Sequence, residues 1–253
     1  MRDYPAPAAV NRVEAVPRRI RVVFGGQTIV DTTNAKYVWE LPIYPAYYLP
    51  RGDFAEGVLV DEGKSHPSHR GTVQSFGVRV GERTAAGAAR VLIEAAGPQL
   101  AGLVRLDWGA MDAWFEEDEQ VFVHPRDPYT RVDALRSTRH VRVELDGIVL
   151  ADSTSPVLVF ETGLPTRYYL NRTDVDFTHL TPSQTVTACP YKGTTGGYWT
   201  ATTGDRTHPD VAWTYTFPSR DLLPIAGLIA FYNERVDLLV DGELLERPKT
   251  HFS

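Results

Sequence analysis

Cysteine is nearly absent from the chain, with Cys189 the only one in 253 residues. That excludes an intramolecular disulfide, and with it any zinc site built from cysteine pairs. Lysine is almost as scarce: Lys36, Lys64, Lys192 and Lys249 are the only four, the other basic residues are arginines, and the net charge is -6. No basic run stands ready for a phosphate backbone, so nucleic acid is not an expected partner. Nowhere do about 18 apolar residues run together, and the opening MRDYPAPAAVNRVEAVP lacks an apolar core of signal-peptide length. A membrane is therefore not an expected partner either, and the composition reads as that of a cytoplasmic protein.

What the chain does have is itself, twice. Residues 18–53, RRIRVVFGGQTIVDTTNAKYVWELPIYPAYYLPRGD, align without a gap on residues 139–174, RHVRVELDGIVLADSTSPVLVFETGLPTRYYLNRTD. Glu40 falls on Glu161, Tyr47 and Tyr48 on Tyr168 and Tyr169, and Arg51 on Arg172. With small shifts the match continues, so that Arg70 meets Lys192, Phe76 meets Tyr198, and the run Ala101–Val104 meets Ala226–Ile229. A tandem duplication of this period implies two similar units, each able to bury its own core.

Each copy opens on two β-rich runs around a glycine turn, Gly25-Gly26 in the first and Asp146-Gly147 in the second, the signature of a hairpin. A third strand ends on Glu40 or Glu161, and a fourth carries the tyrosine pair. The class is all-β with little helix, confined to short segments around 98–104 and 224–230. By composition, residues 1–17 read as an N-terminal arm, 18–125 as the first repeat, 126–138 as a charged linker, and 139–253 as the second repeat.

The second copy holds CPYKGTTGGYWT from Cys189, VAWTYTFPS around Trp213 and IAGLIAFYNERVDLLVDG from Ile225. Together with the spacing of Glu161 and Tyr168, these runs resemble the DUF427 family, small β-rich domains of bacteria and fungi, over nearly all of residues 139–253. The first copy resembles it as a diverged member, with HPSHRG in place of CPYKG. The resemblance implies a β-tent or Mss4-like fold, in which two sheets lean together and leave a cleft. Several relatives of that fold hold zinc between cysteine pairs, which this chain lacks, so neither a metal nor another cofactor is expected. A nucleotidyltransferase label also attaches to the family, but Asp174-Val175-Asp176 is not preceded by the Gly-Ser signature of such enzymes.

Several residues could carry chemistry. Glu40 and Glu161 end apolar strands, where a carboxylate needs a partner; Arg51 and Arg172 could pair with them structurally, or the carboxylates could face a cleft. Cys189 beside Lys192 could be a nucleophile or a small buried hydrophobe. Tyr168, Tyr191, Trp199, Trp213 and Tyr232 could be core or could line a pocket, with Arg172 and the rare Lys192 positioned for an anionic group. Tyr47 is the first-repeat counterpart of Tyr168. His66, His69 and His124 read as surface histidines, and Glu116–Glu119 as a solvated acidic turn.

The reading that follows is a protein binding a small polar or anionic molecule in a cleft of the second repeat. One alternative is an enzyme using Glu161 as base or Cys189 as nucleophile in that cleft. Another is an interaction module, including a homo-oligomer joined through sheet edges.

Overall fold

The computed structural model describes residues 9–68, 70–95, 99–250 and 252–253. The chain forms two compact units, Ala8–Asp127 and Pro128–Ser253, and each builds one seven-stranded and one four-stranded sheet. All pairings between these strands are antiparallel. Helix is limited to short 3-10 segments, of which Arg220–Ile225 is the longest. The all-β, two-unit reading of the sequence is correct.

In the second unit the large sheet runs in the order Val132–Arg136, Val157–Glu161, Arg167–Leu170, Ile229–Phe231, Arg206–Thr214, Gly197–Thr203 and Leu180–Ser183. The hairpin Val141–Leu145/Ile148–Ser153 belongs to the small sheet. It turns at Asp146 and Gly147, with φ of 51° and 79°. Two successive left-handed residues match the right-handed twist of the flanking strands, which is why an Asp-Gly pair there signals a hairpin.

Three sequence expectations are corrected. Residues 132–136, assigned to the linker, form the edge strand Val132–Arg136 on Val157–Glu161. Likewise Val13–Ala15, assigned to the arm, pairs with the strand Lys36–Leu41. Charge and proline nearby had masked these short, half-buried runs. Of the expected helical segments, the second is helical only at its start, where Pro224 and Ile225 end the 3-10 segment Arg220–Ile225. Both segments run on into strands, Leu103–Leu106 and Ile229–Phe231, where the sheet ladder overrides any local preference. The part of the first segment at 96–98 lies outside the described residues.

Alternation along the strands divides each large sheet into two faces. The inner face packs on the small sheet and fills the space between them. In the second unit this core holds Leu158, Tyr168, Leu170, Trp199, Ala212 and Phe231 against Val141, Val143 and Leu238. The outer face carries a separate cluster of Val157, Val159, Tyr169, Tyr198, Trp213, Tyr215 and Ala230, closed over by Leu222 and Ile225 of the 3-10 segment. Strand register also revises one alignment: Phe76 lies opposite Ala89 and Ala89 opposite Leu106, as Trp199 lies opposite Ala212 and Ala212 opposite Phe231. The counterpart of Phe76 is Trp199, one residue past Tyr198.

The run after Lys192 crosses the sheet end at close quarters. At Gly193 the backbone has a φ of 93°, and a Cβ on Gly196 would stand 1.9 Å from Thr216 Oγ1 and 2.9 Å from the Thr216 backbone nitrogen. Gly196→Ala should therefore destabilise the second unit by roughly 1–3 kcal/mol, the range for overpacking. Gly52→Ala, with nothing within 4 Å, should be close to neutral. Thermal denaturation of the two variants beside the parent chain checks this difference.

Candidate functional site

The outer face of the second unit gathers several buried ionisable and phenolic side chains on one layer. Glu161 ends the strand Val157–Glu161 two residues beyond Val159, so alternation turns it outward with Val157 and Val159. Across it lies a turn, Pro190–Lys192, held in the small hairpin Ala188–Cys189/Gly193–Thr194. Ser219 fixes that turn by donating from its hydroxyl to the Tyr191 carbonyl at 2.6 Å and from its amide to the Lys192 carbonyl at 3.1 Å.

The turn drives Lys192 inward, where only 7% of the residue stays exposed, and its Nζ forms a buried ion pair with Glu161 Oε2. Burial alone would pull the ammonium pKa down. Glu161, Cys189 and Tyr169 outweigh that cost and hold it above the ordinary lysine value, so Lys192 is charged at neutral pH. Cys189 is half-buried, with its Sγ 3.9 Å from Lys192 Nζ.

Aromatic side chains floor this ion pair. Tyr169 is completely buried, its hydroxyl accepting from Trp213 Nε1 at 3.2 Å. That burial pushes its pKa up to about 12, against the pull of Lys192 and of the indole hydrogen bond. Tyr215 is raised further still, first by burial and then by Tyr169 and Cys189. The Trp213 ring stands 4.4 Å from that of Tyr232. The hydroxyls of Thr187, Tyr198 and Tyr232 form a chain with steps of 2.8 and 3.3 Å.

Arg167 anchors the far side. Its guanidinium lies 5.8 Å from the Trp213 ring centroid and 5.7 Å from that of Tyr232. Glu234 holds it by two hydrogen bonds of 2.6 and 2.7 Å, and Asn233 adds a third at 3.2 Å. Both members of the Arg167–Glu234 pair are buried, so the fork fixes the orientation of the rings above it.

This arrangement sorts the residues singled out from sequence. Glu161, Cys189, Tyr191, Lys192, Trp213 and Tyr232 come together on the outer layer. Tyr168 and Trp199 do not: they belong to the inner core, and Arg172 is exposed with its guanidinium 5.5 Å from the Trp199 ring. A single cleft lined by all of them is thus replaced by two faces of one sheet. Nor does Arg172 pair with Glu161, or Arg51 with Glu40; Arg51 stacks 4.9 Å over Phe76. Each arginine follows its strand on a 3-10 turn that lays the side chain over an aromatic of the third strand along in the same sheet. Sequence reasoning missed Tyr169, Tyr198, Tyr215, Arg167 and Glu234. The motif AFYNER held the last of these in plain view, but the guanidinium that pairs with its carboxylate, Arg167, lies 67 residues earlier.

The first unit repeats the position with different chemistry. Tyr48, counterpart of Tyr169, donates to Glu40 Oε1 at 2.8 Å, Arg105 Nε reaches Glu40 at 3.0 and 3.1 Å, and Arg70 Nη1 stands 3.9 Å away. Tyr47 faces the inner core and donates to Glu116, which Arg18 also binds at 2.6 Å. Glu116 is only 4% exposed, so the acidic turn is solvated from Glu117 on, and its first member is a core residue. His124 stacks on Tyr44 with ring centroids 3.8 Å apart; His69 lies outside the described residues. Among the described residues no three His, Cys, Asp or Glu side chains converge as a metal ion would require, and no helix is long and apolar enough to cross a membrane.

A family model described as a domain of unknown function (DUF427) matches residues 12–117 and, separately, residues 133–242. No curated protein matches the chain.

The Arg167–Glu234 fork carries a pH signature. Burial would raise the Glu234 pKa, but the hydrogen bonds and charge of Arg167, with Thr250, hold it below the ordinary value. A depressed carboxyl pKa contributes stability above the unfolded-state value of about 4.3 and loses it as pH falls through the folded value. Glu234→Gln should therefore melt lower than the parent at pH 7, and the gap should narrow below about pH 4. Circular dichroism melts across that range measure it.

Proposed function

The chain belongs to the DUF427 family in two tandem copies, and on that premise we propose that its second unit binds a small polar molecule on the outer aromatic layer beside Lys192 and Glu161. One observation carries the reading. A lysine, rare in this chain, is buried against a carboxylate on a floor of phenols, where sheet packing alone would have placed an aliphatic residue.

Burying such a pair costs several kcal/mol per ion before their attraction returns it, so the pair is weak evidence for stability and better evidence for a use. Because Glu161 already neutralises Lys192, a free anion gains little by docking there. A neutral guest with a donor and an acceptor can bridge ammonium and carboxylate while its flat face lies on Trp213 and Tyr232. The hydroxyls of Tyr198 and Thr187 supply further adjustable partners. A cytoplasmic setting, where thiols stay reduced, suits Cys189.

The proximity of Cys189 Sγ to Lys192 Nζ supports a second reading, in which the layer is an active site. There the Cys189 sulfur is the nucleophile beside the ammonium, and Glu161 takes the role of base.

Native mass spectrometry of freshly purified protein should show a retained adduct of defined mass on the parent chain. Lys192→Met alone strands Glu161 at a cost of about 3–5 kcal/mol, so the test uses the paired variant Lys192→Met/Glu161→Gln, which should fold and lose the adduct. An adduct equally retained by the pair, or none on the parent, overturns the binding reading. For the second reading, iodoacetamide should alkylate Cys189 several-fold faster in the parent than in the paired variant at pH 7.5; equal rates remove it.

A further inference from the structure

The two copies differ along one cross-strand row of the large sheet's outer face. In the second unit the row reads Arg136, Val157, Tyr169, Ala230, Trp213, Tyr198 and Ser183, each the register partner of the next. In the first unit Lys64 is opposite Ser75, Ser75 opposite Arg90, and Arg90 opposite Arg105. Glu40 then ties Arg105 to Tyr48, and Tyr48 is opposite Lys36. Where the second unit lays aromatic and aliphatic side chains, the first sets four cations: Lys36, Arg105, Arg90 and Lys64.

All four face outward. Neighbours Ala89, Val91, Val104, Leu106 and Phe76 point into the inner core, so Arg90, Arg105 and Ser75 take the opposite side. Strands lie about 4.8 Å apart, which spreads the row over roughly 24 Å. Arg70 adds a fifth cation beside Glu40, its side chain 12% exposed and its Nε buried without a hydrogen-bond partner. Against these stand two carboxylates: Glu40, and Glu62, whose Oε1 lies over Gly77 on this side of the sheet and accepts from the Gly87 amide at 2.6 Å. Among the described residues Lys36, Lys64 and Arg90 form no ion pair.

A chain of net charge -6 has thus gathered unneutralised cations on one face of one unit. Self-pairing would be the default, since acidic residues outnumber basic ones, 32 against 26. We propose that the outer face of the first unit binds a small molecule bearing clustered negative charge, with Arg90, Arg105 and Arg70 on its anionic groups and Lys64 and Lys36 at the ends. Guanidinium forks suit phosphate and carboxylate alike, because both offer paired oxygens. A compact guest centres on Arg90 and Arg105 and meets the lysines only as far as their side chains reach in, whereas an extended phosphate backbone would need cations that continue beyond the sheet. The binding is independent of the site beside Lys192.

The test is calorimetric titration of the full chain at low salt with sodium tripolyphosphate, and in a separate arm with citrate. The variant is Lys64→Gln/Arg90→Gln, whose side chains are exposed and unpaired, so the fold should be unaffected; Lys192→Met/Glu161→Gln serves as a control for the other unit. At least one probe should bind the parent, weaken tenfold or more in the Lys64/Arg90 variant, weaken again at 0.5 M salt as screening demands, and be unchanged in the control. Binding of tripolyphosphate alone assigns a phosphorylated guest, and of citrate alone a polycarboxylate. No heat from either probe, or equal affinity in parent and variant, overturns the proposal.

Discussion

Alternation along a β-strand governs this protein more than any single contact. Because consecutive residues take opposite sides, the register of the seven-stranded sheet decides which half of each motif meets the small sheet and which half is left to the outer layer. Tyr168 and Tyr169 are chemically identical neighbours with unrelated tasks: one fills the inter-sheet core, the other supports a buried ion pair. Their counterparts Tyr47 and Tyr48 divide in the same way. A slip of one residue would exchange the two and bring Glu161 onto the inner side, where Lys192 does not reach.

The same constraint explains how far the sequence could be read. The hairpins were legible because glycine turns and alternating runs are local signals. The duplication was legible because a gapless match is independent of structure. The tyrosine pair was not, since all four residues of Arg167–Leu170 are buried and a strand covered on both faces shows no alternation. Neither was the partner of Glu161: proximity in sequence favoured Arg172, whereas a hairpin brought in Lys192 from 31 residues away. The cation row of the first unit was equally hard to see, because its members lie on four different strands and meet only through pairing.

Duplication has freed the two copies to depart from one another on opposite faces. The second fills its inner core with Leu158, Leu238 and Val240 beside Tyr168, Trp199 and Phe231, and loads its outer layer with phenols and an indole. In the first the inner core has turned polar and aromatic: Tyr37, Trp39, Tyr47 and Trp114 surround Glu116, and Trp108 stacks on Trp114 with centroids 4.5 Å apart. Its outer face sets ionic side chains beside the apolar cluster Val38, Tyr48, Val73, Leu92 and Leu100. Both units thus keep an apolar cluster on each face of the large sheet and vary the polar groups set among them, which preserves enough apolar burial to fold while changing what the sheet presents.

The short edge strands deserve a last consideration. Val13–Ala15 and Val132–Arg136 stand at the same place in the two large sheets, opposite Lys36–Val38 and Val157–Glu161, and both precede the repeat that was visible by eye. The inherited module therefore starts with its own guard rail: the strand that shields the sheet border travels at the head of the block and is not borrowed from a neighbour. A block so equipped arrives with one border already narrowed to a short strand, and can be copied, moved or lost as one piece with that border intact.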